Sequence, residues 1–242
     1  MSVQALFQGK RGTTIGQAMN RSVEFHKAAK FVETWTGKEL PRQFEMVRVD
    51  TSKKSWRGGV FRGKFYIGEV PPAKIPLVYS HKLVHVWQED FSEKAREKAI
   101  RAEAQDFLSG YSMVAVVRIY KEGQAVFLAS NYVQDRKYEK RMKADLALAA
   151  GGSVLIVSVA SIAAGTVGGL LASAAGIYAM AIPAMYSIFT SALRKLEKKV
   201  GDAQTAFRIS CSKVPTKWSE LLFPLKFYKQ EIDAALQAKK EN

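Results

Sequence analysis

Apolar residues recur at helical spacing through Ile15, Ala18, Met19, Phe25, Ala29 and Val32. This pattern predicts one amphipathic helix, capped by Thr13 or Thr14 and running to about Trp35. Phe31 and Trp35 fall off the stripe, so the end of that helix is expected to meet a second surface. Pro41 closes the unit. Two short β candidates follow, Glu45–Val49 and Val60–Ile67, separated by the polar stretch Asp50–Gly59. Pro71, Pro72 and Pro76 then break the chain ahead of LVYSHKLVHVWQ, Leu77–Gln88, read as a helix. Ser92 is placed to cap a further helix, Glu93–Ser109, with Gly110 as its stop. After it, SMVAVVRIY and QAVFLAS are β-prone and flank Lys121-Glu122-Gly123, which predicts a β-hairpin.

The pattern changes abruptly at Asp145. From Leu146 to Leu193 there are 48 consecutive positions without a charge. A bilayer core takes roughly 20 apolar residues per helix, so the length predicts a hairpin of two spans. They are placed near Leu148–Leu170 and Ala172–Leu193, with Pro183 kinking the second. Ser161, Gly165, Gly169 and Ser173 recur every fourth residue, a row of small side chains that lets another helix approach, within the hairpin or between copies in a homo-oligomer. The alternative is a buried central hairpin of a soluble helical bundle that inserts only when triggered. Arg136, Lys137, Lys140, Arg141 and Lys143 precede the segment, and Arg194, Lys195, Lys198 and Lys199 follow it. Basic flanks at both ends of a hairpin place both on the cytoplasmic face and attract anionic headgroups.

Beyond the segment, Leu193, Leu196, Val200, Ala203 and Phe207 continue a helical stripe. Trp218, Phe227 and Tyr228 then stand among lysines, a mixture that suits a membrane interface or a helix packing back on the protein.

Charge narrows the partners. The chain has 37 Lys+Arg against 22 Asp+Glu in 242 residues, a net charge of +15. Anionic lipid, nucleic acid or an acidic protein are the partner classes this favours. Basic residues are not interleaved with aromatics outside the tail, which argues against nucleic acid and for a lipid membrane. Cys211 is the single cysteine, so neither an intrachain disulfide nor a Cys-rich zinc module is expected. The start MSVQALFQGKRG has no signal-peptide pattern, so export would need a dedicated machine. There is no Gly-rich phosphate loop and no recognisable nucleophile elbow.

His81 and His85 carry the candidate chemistry. Four residues apart on a helix, they present both rings to one face, the arrangement two imidazoles need to share a zinc ion. The surrounding HKLVHVWQ resembles the HELTHVWQ stretch of zinc metallopeptidases that accompany Rhs-type and related bacterial toxin proteins. The likeness is close over these eight residues and extends loosely over about 40–140, to the Gly110-Tyr111 pair. It implies that His81 and His85 bind zinc. It also implies a glutamate general base at the position held here by Lys82, whose ammonium stays protonated at neutral pH and repels a cation. The catalytic position is thus degenerate. A third ligand is expected on the following helix, with Glu103 placed for it and Asp106 and Glu139 behind it.

The expected fold class is α+β: a mostly helical, metallopeptidase-like region over 1–145, a transmembrane-type hairpin over 146–193, and a basic helical tail over 194–242. The function this implies is a membrane-associated bacterial effector or toxin-type protein. A structural or delivery component of a virion or injection machine that enters an envelope is the alternative from another class. A zinc metallopeptidase inactivated by a Glu-to-Lys change at Lys82 is a third.

Overall fold

The computed structural model describes residues 4–7, 12–49, 58–61, 64–88, 107–142 and 184–241. They fall into two compact units: Met1–Ala104 with Gln124–Asp135, and Gln105–Gly123 with Arg136–Asn242. The division runs through one helix that contributes to both.

In the first unit, α1 (Gln4–Phe7) precedes strand β1 (Gly12–Thr14). The predicted long helix is two. Thr14 caps α2 (Ile15–Arg21) in a capping box with Gln17, and Ser22 then leaves the helical region and caps α3 (Val23–Thr36) through the Phe25 N–H. Each cap satisfies helix N–H groups that have no partner within the helix. Gly37 ends α3 at φ 69°, a left-handed conformation glycine adopts without steric cost. All six residues of the predicted stripe are buried. The two outliers meet a second surface, the Phe31 ring lying 4.8 Å from that of Tyr132 at a tilt of 56° and Trp35 lying 6.5 Å from Phe127.

Strands β2 (Glu45–Arg48), β3 (Gly58–Phe61) and β4 (Lys64–Ile67) join β1 in a four-stranded sheet of order β1-β2-β4-β3. The stretch expected as one strand from Val60 is therefore a hairpin, β3 antiparallel to β4, and β4 runs parallel to β2. Alternation puts Thr13, Met46 and Phe65, which are aligned across the sheet, on its buried face. A 3-10 turn, Pro72–Lys74, leads into helix α4, residues 75–88. Tyr79 of α4 meets Phe25 edge-to-face at 5.1 Å, which ties α4 to α3.

Helix α5 (Phe107–Tyr132) replaces the predicted β-hairpin, and Gly110 lies inside it rather than ending a helix. Lys121-Glu122-Gly123 is helical. In the second unit a Cβ on Gly123 would lie 2.5 Å from a ring carbon of Phe189, so only glycine lets the two helices close there. The remaining elements are α6 (residues 137–142), α7 (residues 184–200), α8 (Ala203–Cys211), α9 (Trp218–Leu222), α10 (Pro224–Phe227) and α11 (Lys229–Glu241). The stripe expected to continue past Val200 is interrupted. Gly201 turns at φ 77° and Asp202 caps a new helix.

The expected fold class needs correction. The described residues are mostly helical with one small sheet, and no helix among them is long and apolar enough to cross a membrane. Residues 143–183 lie outside the described residues, and with them Ser161, Gly165, Gly169 and Ser173. The part of the second span that is described, 184–193, belongs to α7, which packs on protein. Tyr186, Phe189, Thr190 and Leu193 are buried, and Phe189 lies 5.7 Å from Tyr120. Arg194 is not a headgroup-facing flank either, because it is largely buried in ion pairs with Glu139 and Glu197. In the tail, Tyr228 is no interface residue: it is 1% exposed and its hydroxyl reaches the carbonyls of Ser210 and Lys213. Trp218 and Phe227 are half-buried, with the Lys213 ammonium 4.7 Å above the Phe227 ring.

Candidate metal centre

Helix α4 places His81 and His85 one turn apart, as their spacing requires. His81 is 3% exposed and His85 half-buried. Their rings meet at 75° with centroids 4.8 Å apart, and the two Nε2 atoms are separated by 3.1 Å. Two imidazoles on one tetrahedral zinc, with bonds of about 2.0–2.1 Å, hold their nitrogens about 3.3–3.4 Å apart. The pair is within a few tenths of an ångström of that spacing.

A chain of amides sets the proton on His85. Gln88 Nε2 donates to Gln124 Oε1 at 2.9 Å, which turns Gln88 Oε1 towards His85 Nδ1, also at 2.9 Å. A carbonyl oxygen only accepts, so in this amide orientation Nδ1 carries the hydrogen and Nε2 offers a lone pair. Gln88 and Gln124 are 1% and 0% exposed, so the orientation is set in a water-poor interior. This is the supporting shell that metal-binding histidines use to hold tautomer and ring angle. With His85 Nε2 accepting, the 3.1 Å contact needs a proton from His81 when no cation lies between the rings.

The carboxylate comes from α5. Glu122 lies two residues before Gln124 on the same unbroken helix, and its oxygen groups with the two ring nitrogens so that all three atoms lie within 4.8 Å of one another. Two histidines and a glutamate are the donor set of three-ligand zinc sites that keep a fourth position for water. The same side chains suit other divalent transition metals, so the geometry marks three side chains that could hold a metal ion and does not select which. Glu103 and Asp106, placed as ligands from the sequence, lie outside the described residues. Glu139 is engaged elsewhere, with Arg194.

Sequence reasoning missed Glu122 because Lys121-Glu122-Gly123 reads as a turn. The signal that would have found it is a lone acidic residue inside an apolar run, which needs a buried partner or a cation. Lys82 follows His81 and is rotated about 100° around the helix from it, half-buried. No family model, curated protein or solved structure matches this chain.

Proposed function

We propose that this chain is a zinc-binding, metallopeptidase-like protein of effector type that has exchanged the hydrolytic base for Lys82. The carrying observation is the convergence of His81, His85 and Glu122, with the Nε2 atoms 3.1 Å apart and the tautomer of His85 set by Gln88. The effector setting rests on the resemblance of HKLVHVWQ to the toxin-associated peptidases. Zinc in such a site supplies Lewis acidity to a bound water. The residues of this chain do the rest: His81 and His85 give neutral nitrogens, and Glu122 offsets part of the cation's charge. Lys82 cannot take a proton from the water, so the bound metal serves scaffold or recognition rather than peptide hydrolysis.

Metal content of the protein purified without chelator, followed by titration with zinc and with cobalt(II), tests this reading. One equivalent per chain is expected, with a tetrahedral cobalt spectrum. His81→Ala and His85→Ala should each remove binding, and Gln88→Leu should weaken it by about 10–100-fold while the helix content stays unchanged. Lys82→Glu should tighten it. A wild-type chain that takes up no zinc at micromolar free metal overturns the proposal.

A further inference from the structure

Three large apolar side chains among the described residues stand exposed, and two of them, Phe223 and Ile188, line the same groove in the second unit. The groove has a volume of about 420 Å³ and lies between α7 and the α9–α10 corner, with Ala192 and Leu222 on its walls and Lys195 and Lys226 among its lining residues. Phe223 is 62% exposed and Ile188 40%.

Phe223 is held outward by its backbone. It ends α9, with its N–H on Ser219 O, and it starts α10, with its carbonyl accepting from the Lys226 and Phe227 N–H groups. Pro224 follows at the first helical position and is buried, which fixes the corner from below. An exposed aromatic on a rigid corner has already lost the conformational freedom that insertion would cost. No carboxylate among the described residues pairs with Lys195 or Lys226, whereas Arg194, next along α7, is held by Glu139 and Glu197. The chain's net charge is +15. An apolar wedge flanked by unpaired cations suits the boundary of an anionic bilayer, where rings sit at headgroup level and ammonium groups meet lipid phosphates and carboxylates.

We propose that the α7/α9–α10 corner is an interfacial docking surface for anionic phospholipid, with Phe223 and Ile188 inserted and Lys195 and Lys226 on the headgroups. The contact is interfacial, and no helix among the described residues is long and apolar enough to cross a membrane. The site is independent of the metal centre.

Co-sedimentation of the full chain with phosphatidylcholine vesicles, with and without 30% phosphatidylserine (~30 mol%, enough to give a cell-like surface potential), tests it. Tighter binding to the anionic vesicles is expected, weakening as salt rises. Phe223→Ser combined with Ile188→Ser should lower partitioning at least tenfold, with circular dichroism unchanged because both side chains are already exposed. Lys195→Glu combined with Lys226→Glu should remove the preference for phosphatidylserine, again at least tenfold. Phe223→Trp, which keeps an interfacial ring, should bind at least as well as the parent. Absence of vesicle binding by the parent overturns the proposal. So does equal binding by the parent and the serine pair, which would move the contact elsewhere on the chain.

Discussion

Helices α3 and α5 are both fixed by burial, but by different amounts of it. Helix α3 buries one face, Phe25, Ala28, Ala29, Val32 and Trp35, and leaves Lys27, Lys30 and Thr34 exposed. Its ends carry much of its definition, a serine cap at one and a left-handed glycine at the other. Helix α5 is enclosed from Gly123 to Ser130, eight consecutive buried positions that cover every direction around the axis. Its polar groups must therefore find protein partners. Gln124 pairs with Gln88, the Ser130 hydroxyl donates to Phe127 O, and Tyr120 donates to Ser210 O at 2.8 Å. A one-faced helix tolerates substitution around most of its circumference. An enclosed one does not, and α5 is where the buried Gln124 amide and the Glu122 carboxylate stand.

The sharpest way to break the comparison is in the enclosed helix. Phe127 is fully buried, and Phe127→Ala should cost about 3–5 kcal/mol, read from urea midpoints at constant m-value. A cost below about 1 kcal/mol would mean that α5 is not enclosed. Next comes the close approach at Gly123. Gly123→Val should cost about 2–3 kcal/mol through collision with Phe189, despite valine's better helix propensity. Adding Phe189→Leu should recover part of that loss, so the double-mutant cycle should show coupling of about 1 kcal/mol or more. Strict additivity would place the collision elsewhere.

The smallest effect tests the one-faced helix. Burial raises the Glu33 carboxyl, but the Leu40 N–H, Lys30 and Arg42 outweigh it and hold the group below the ordinary carboxylate range. A carboxyl depressed in the folded state contributes stability that is fully present above its unfolded pKa and lost as pH falls through its folded one. Glu33→Gln should therefore cost about 1–2 kcal/mol at pH 7. The gap between variant and parent should close as the buffer is taken below about pH 4, near the unfolded carboxyl value. A gap that stays constant with pH would assign the effect to packing.

The same contrast explains what could be read beforehand. The α2–α3 stripe was legible because one buried face leaves a 3.6-residue period in the sequence, and its serine and threonine caps act within four residues of where they stand. The break at Ser22 was missed, since both segments share the stripe. Helix α5 was misread. Enclosure on all sides between Gly123 and Ser130 erases the period there, and Val116, Ile119 and Val126, all buried, favour a strand by propensity, which tertiary burial overrides. The histidine pair was legible for the same local reason as the caps. Glu122 stands 37 positions beyond His85 on a separate helix, and no spacing rule reaches that far.

The sheet order has a consequence for how the chain reaches its fold. Strand β4 lies between β2 and β3, so its two edges become available on different timescales. The β3–β4 ladder closes a loop of a few residues, a microsecond event for a hairpin. The β2–β4 ladder is parallel and joins positions 19 apart, Glu45 with Lys64, so its closure entropy is larger and its reward later. This ordering predicts that the hairpin is the template on which β2 docks, with β1 following as the outer strand. Substitution of the buried Phe65 in β4 should slow folding, whereas loss of contacts in β1 should mainly speed unfolding.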